Sequence, residues 1–297
     1  LSRSYDNILI IMNIDNPIII PLNLLISKPI FLYGTIVGPL HGLPSFLYSK
    51  LNIIAPSKYV ANELANSGIH VLTTIPHAIN VKKLTEYIKR IEIKKKTKDK
   101  VLLFSVFSSI SLRKGLNYYI KALTLLPSNV KYKALIKTPV PIPVPHQLKN
   151  RIYVISGWIS RYKLIRLYYS ADVVVVPSLA EGFGLPIIEA LACGKPVICL
   201  DAPPMNEINT ASTGWLVKVK KQLIMHGGSS SIIKSLRIPI GSTRYNIPDL
   251  DDFASKLEEA IEDEDARRKK SKAALGARWK YHYTRVYSRF IEILRQS

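Results

Sequence analysis

Short apolar runs alternate with amphipathic stretches along the whole chain. Ile8 to Met12, Ile30 to Tyr33, Ile53 to Ala55, Val101 to Phe107, Lys133 to Ile136, Ile152 to Ile155, Val173 to Val176 and Val197 to Cys199 are rich in Ile and Val, as strands are. Between them lie segments of helical period such as Leu84 to Ile91 and Leu116 to Leu126. The alternation predicts an α/β protein with mainly parallel sheets, whose central strands are buried on both faces and need not alternate polar and apolar residues. Val173-Val174-Val175-Val176 is the clearest such strand. Residues 93–100 are charged and lack apolar periodicity, which puts a domain boundary there and divides the chain into 1–92 and 93–278, with a last helical segment at 279–297. From Lys220 to Asn246 the pattern fades around Gly-Gly-Ser-Ser-Ser, predicting a long loop or insertion inside the second domain.

Composition changes this picture little. The 297 residues suffice for two domains, and 47% hydrophobic with 21% charged residues is a globular rather than a disordered composition. Cys193 and Cys199 lie in an apolar stretch without metal-ligand spacing, and read as buried reduced thiols of a cytoplasmic protein. No signal-peptide pattern opens the sequence. The apolar region from Pro17 to Phe46 is broken by four prolines, so no run of about 18 apolar residues exists. The net charge of +21 favours phosphates, nucleic acids and anionic membranes alike. Its basic residues concentrate at Lys94 to Lys98 and from Arg267 to Arg295, following an acidic helix predicted from Pro248 to about Glu264. Two complementary solvated helix faces explain that arrangement as simply as a binding surface does.

Candidate chemistry centres on "SLAEGFGLPIIEALACGKPVI", residues 178 to 198. In a doubly wound sheet ligands bind beyond the carboxyl ends of the strands, and residues 178 to 184 follow the Val173 strand at that end. Pro186 suits the first turn of a helix and Gly194 the position past its end, predicting a helix over 186–193 with Leu185 at its cap. Free amides at that helix start, with those of Gly182 and Gly184, form a cradle for an anionic or hydroxyl-rich ligand. Glu181 and Glu189 beside it can accept hydrogen bonds from sugar hydroxyls. Taken alone, Glu189 is equally a helix-capping residue contributing roughly 0.3 to 1 kcal/mol, and Glu181 a solvated loop residue. Dinucleotide, P-loop and nucleophile-elbow motifs are absent. Asp249-Leu250-Asp251 matches a short metal-binding pattern but is more simply a helix-start cluster.

With Glu181 and Glu189 eight residues apart, the stretch resembles the E-x7-E region of the retaining glycosyltransferases of family 4. "IPHAIN" at 75 to 80, "RKG" at 113 to 115, "GWIS" at 157 to 160, "ADVVVVPS" at 171 to 178 and "TGWLV" at 213 to 217 are similar to that family's motifs and stand in its order. The resemblance implies a GT-B fold, two Rossmann-like domains facing a cleft, with the N-terminal one on the acceptor side and incomplete. It implies a nucleoside diphosphate sugar as donor, no cofactor and no obligatory metal, and retention of anomeric configuration. Glu189 would bind the ribose hydroxyls. Glu181 and the amides of Gly182, Phe183, Gly184 and Leu185 would hold the transferred sugar and its phosphate. Lys114 and Arg113 would neutralise the leaving diphosphate, Arg113 less securely because it sits closer to Lys114 than in many relatives. The loop at Gly157 would face the base, although Trp158 beside it could equally be a buried structural residue. Helix 279–297 would cross back onto the first domain, its apolar stripe part of the core.

Two departures qualify the resemblance. Only about 80 residues precede "IPHAIN" and no glycine-rich loop follows a first strand, the expectation for a start lying upstream or for a shortened or split form. Where many relatives carry T-x-H-G, this chain reads Thr35-Ile36-Val37-Gly38. His41 could substitute or be a bystander, and His77 is expected to pack at the hinge. The leading expectation is thus a glycosyltransferase whose acceptor is a saccharide, lipid or protein. A catalytically silent nucleotide-sugar-binding module, or one subunit of a split enzyme, is the alternative. Basic faces would suit peripheral contact with an anionic membrane, each Lys or Arg contributing about 1 kcal/mol near the surface. No recognition motif supports specific nucleic-acid binding.

Overall fold

A computed structural model describes residues 7–11, 29–40, 48–91, 101–226 and 242–295. The boundary segment 93–100 and His41 lie outside them, as does the whole Gly-Gly-Ser-Ser-Ser stretch. The first domain is a four-stranded parallel sheet in the order β1 (Ile8–Ile11), β2 (Ile30–Tyr33), β3 (Leu51–Ala55), β4 (Val71–Thr74). Helix α1 (Lys58–Asn66) follows β3 and α2 (Val81–Lys89) follows β4. Each starts at a side-chain cap, Ser57 Oγ accepting from the Val60 amide and Asn80 from the Lys83 amide, as these residue types favour.

The second domain is a six-stranded parallel sheet. Its strands are β5 (Val101–Val106), β6 (Tyr132–Thr138), β7 (Ile152–Ser156), β8 (Val173–Val176), β9 (Val197–Leu200) and β10 (Gly214–Val217), in the order β10-β9-β8-β5-β6-β7. Helices α3 (Leu116–Leu125), α4 (Arg161–Ser170) and α5 (Leu185–Ala192) connect them, and a single turn, α6 (Met205–Ile208), follows β9. All four valines of β8 are buried, as a strand sandwiched between helix layers must be. The chain winds outward from β5 to β6 and β7, then restarts at β8 on β5's other side, so the order reverses between β5 and β8.

After the sheet come α7 (Leu250–Glu262) and α8 (Glu264–Ala277), the predicted acidic and basic pair. Asp249 caps α7 by accepting from the amides of Asp251 and Asp252, so the Asp-Leu-Asp cluster is a helix start. The two helices do complement one another: Arg267 of α8 donates to the carbonyls of Ala260 and Ile261 at the end of α7. The chain then returns to the first domain, where the Ile79 amide donates to the Tyr281 carbonyl at 2.9 Å. Helix α9 (Tyr283–Arg295) inserts Val286 and Phe290 among Phe31, Tyr33, Ile54 and Ile75. Its stripe is only partly core, because Tyr283, Tyr287 and Ile291 are exposed.

The expected loop at 220–246 is corrected in its described part. Val219–His226 (β11) and Ser242–Pro248 (β12) form an antiparallel ribbon. Strand β12 also pairs away from β11: the Ser242 and Arg244 amides donate to the Pro39 and Val37 carbonyls of the first domain, and the Asn246 amide to Leu179. No periodicity within the segment signals this, since its partners lie far away in sequence.

Candidate functional site

The strand-order reversal opens a cleft of about 410 Å³ between the domains. Its second-domain wall comes from the carboxyl ends of β5 (Val106, Phe107, Ser108) and β8 (Val176, Pro177, Ser178), the turn at 181–185, and side chains of α4 and α5. This is where a doubly wound sheet binds its ligand. Thr35, Ile36, Val37 and His77 supply the first-domain wall.

Arg113 and Lys114 lie in a single 3-10 turn, Leu112–Lys114, that ends at Gly115 with φ +70°. Only glycine adopts that conformation freely, and a Cβ there would also overlap the Pro177 carbonyl. The turn aims both cations at Glu181, whose Oε1 takes a 2.6 Å bond from Lys114 Nζ and whose Oε2 lies 3.4 Å from Arg113 Nη1. Arg113 also donates to the Ala180 carbonyl at 3.1 Å. Glu181 is only 8% exposed. A buried carboxylate is tolerable because it is paired and hydrogen-bonded. Lys114 spends one of its three donors on Glu181, leaving others for an anion in the cleft.

Helix α5 begins one residue earlier than predicted, at Leu185, and its cap is Gly184, with φ 113°. Gly184 contributes no side-chain cap bond, which leaves the helix-start amides for a ligand. Glu189 lies a full turn inside the helix rather than near its start, so its carboxylate is not a cap. It is instead ion-paired with Arg161, the first residue of α4. The sequence does not single out Arg161, whose one local signal is its place after Ser160, which caps α4.

The structure therefore brings together Arg113, Lys114, Glu181, Gly182, Phe183, Gly184, Leu185 and Glu189 around one cleft. Gly157 does not join them. It stands off the cleft with φ 84°, and Trp158 next to it is 95% exposed, with Lys137 Nζ 5.7 Å from its ring, so that Trp is not a buried structural residue.

His77 packs at the hinge as expected and also faces the cleft. Its ring sits edge-on to Tyr33 and Phe183, with the Tyr33 hydroxyl 3.0 Å from Nδ1. Burial lowers its pKa, favouring the neutral imidazole. The domains close tightly here: a Cβ on Gly182 would overlap Thr35 Oγ1, and Ser57 Oγ donates to the Gly182 carbonyl at 3.0 Å. Glu207 of α6 accepts from the amides of Lys58 and Tyr59, supplying a carboxylate from one domain to the helix start of the other. Nothing near Ser57 or Glu207 in the sequence marks this joint.

Cys193 and Cys199 are buried free thiols, each pushed up to about 12 by burial. Among the described residues no helix is long and apolar enough to cross a membrane.

Residues 145–235 match the family model described as glycosyl transferases group 1. A protein of Sulfolobus islandicus rod-shaped virus 1, named uncharacterized glycosyltransferase 335, is 27% identical over 188 residues, 59% of this chain and 56% of that one. An uncharacterized glycosyltransferase of Methanocaldococcus jannaschii is 32% identical over 37% of this chain and 29% of its own length. The match thus spans about half, or less, of these relatives. Sucrose-phosphate synthase from Thermosynechococcus elongatus superposes with a TM-score of 0.72 at 17% identity, over 99% of this chain and 74% of that one. Anabaena HepE, solved in complex with UDP and glucose, gives 0.69 at 18% identity, over 99% and 78%. The chain has the GT-B fold, and its matched segment and relatives support the group 1 glycosyltransferase family.

Proposed function

We propose that this chain binds a nucleoside diphosphate sugar in the interdomain cleft and transfers the sugar to an acceptor with retention, without a metal. The observation that carries this is the Glu181 carboxylate held by Lys114 and Arg113 beside the open start of α5, at the reversal of strand order. Bound sugar hydroxyls would meet Glu181, the phosphates would meet the free amides of 182–185, and Glu189 would accept from the ribose. Transfer breaks the bond between the sugar's anomeric carbon and the diphosphate oxygen. The electron pair leaves with the diphosphate, where Lys114 and Arg113 sit, and cations fixed where charge develops assist most. The acceptor oxygen bonds to the same face of the anomeric carbon and its proton passes to the departing phosphate oxygen, so no residue of this chain need form a covalent intermediate. HepE, of the same fold, is recorded with UDP-glucose, which makes a UDP-sugar the first donor to try.

Calorimetry with UDP-, GDP- and ADP-sugars tests the reading. Selective binding by the native chain and its loss in Glu189→Ala are expected; no binding across the panel would overturn it. Peripheral contact with anionic membrane belongs to the same proposal, supported by the exposed Tyr283, Tyr287 and Ile291 of α9 beside Arg285 and Arg289. Flotation with anionic vesicles should carry the protein upward; equal recovery with neutral vesicles would refute it.

A further inference from the structure

The β11–β12 ribbon has no part in the proposed chemistry, yet it holds a loop that lines the cleft. Strand β12 belongs to the second domain, but its Ser242 amide donates to Pro39 at 2.8 Å and its Arg244 amide to Val37 at 3.0 Å. Those acceptors belong to the first-domain loop whose Thr35, Ile36 and Val37 line the cleft. The Val37 carbonyl also takes the Tyr59 hydroxyl at 3.2 Å, a donor kept protonated because burial raises its pKa to about 12. Arg244 reaches past the loop to Glu63 of α1, with Nη2 3.1 and 3.3 Å from the two carboxylate oxygens. Glu63 is 6% exposed, so removing Arg244 takes this partner from a buried carboxylate, which is costly. Between the two attachments the backbones nearly touch: a Cβ on Gly38 would lie 2.5 Å from the Ser242 carbonyl oxygen and 2.8 Å from the Arg244 amide. At its far end β12 is anchored in its own domain, where the Asn246 side chain and backbone both donate to Leu179, two residues before Glu181.

From this we infer that β12 is a strap that sets the width of the cleft, with Arg244 as its positioning residue. It ties the 35–38 wall to the strand-end segment that carries Glu181, so in the nucleotide-free protein the two walls keep one spacing. The inference rests on the donor reading above for what fills the cleft, but not for the strap itself.

The test uses the full chain with spin labels on cysteines introduced at the exposed positions Lys50 and Lys121, one in each domain. Without nucleotide, the native background should give one narrow interdomain distance. Arg244→Ala and Gly38→Ala should broaden that distance and speed exchange of the Ser242 and Arg244 amides about tenfold, while amides of α5 keep their protection and so report an intact second domain. Arg244→Lys, which retains a charge for Glu63, should restore the narrow distance. A native distance that is already broad without nucleotide would overturn the strap, as would unchanged widths in both variants. Calorimetry on the same samples keeps the two readings apart: if UDP does not bind, the donor reading fails, while the widths without nucleotide still decide the strap.

Discussion

The second-domain wall of the cleft and its first-domain wall are built on different principles. The former rises from the ends of β5 and β8, whose side chains belong to a large continuous core, and its turn at 112–115 is locked against Pro177. The latter is a loop and a histidine on a four-stranded sheet, held by groups lent from across the joint: Glu207 at the start of α1, Gly182 at Ser57, and β12 at Val37 and Pro39. One wall is rigid on its own account; the other is rigid only while docked. A binding site can thus be half pre-formed, with the remainder conditional on domain contact.

That contrast can be broken most severely from the rigid side. Gly115→Ala adds backbone strain to a collision with Pro177 and should cost about 4 kcal/mol, read as a fall in the melting temperature together with loss of nucleotide binding. Lys114→Met leaves Glu181 buried with, among the described residues, the 3.4 Å Arg113 contact alone; a loss of about 3 kcal/mol is expected in chemical denaturation. Changes on the other wall should be smaller and should loosen the joint before either core. Glu207→Ala removes the borrowed helix cap for about 1 kcal/mol, with faster amide exchange at Lys58 and Tyr59 and none in α5. At neutral pH the smallest effect comes from His77. Because burial depresses its folded pKa, the unfolded chain binds the proton first as pH falls below about 6.5. Stability should therefore decline below that pH at no more than about 1.4 kcal/mol per pH unit, until the folded ring is protonated too, and should be indifferent to this group above it. His77→Gln should flatten that acid limb in denaturation curves taken from pH 7 downward.

The same contrast governs what could be read from residues alone. Strands such as Val173–Val176 and the helix after Gly184 are announced by local apolar runs and turn residues, because the forces that shape them act within a few positions. Glu181, Glu189 and Lys114 were legible because they stand beside such elements. Arg161 was not, because only the packing of α4 against α5 brings it to Glu189. Ser57, Glu207 and Arg244 act across separations of more than a hundred residues, and nothing adjacent to them records the partner. Strand β11 carries Lys220, Lys221 and Gln222 on an exposed ribbon, so it lacks the buried periodicity that identifies a strand, and Gly157 was drawn toward the cleft by its motif alone.

Helix α9 carries one more consequence, for the order of assembly during synthesis. The six-stranded sheet and the helices of the second domain are complete in sequence once α8 has emerged, from Val101 to Ala277, and their core then still lacks Tyr281. The cluster beneath β2 and β3 still waits for Val286 and Phe290. Domains usually mature from the amino end as the ribosome releases them. Here the earlier-made domain finishes last, and until then Phe31, Tyr33 and Ile54 present an uncovered apolar face that a nascent-chain chaperone would have reason to hold.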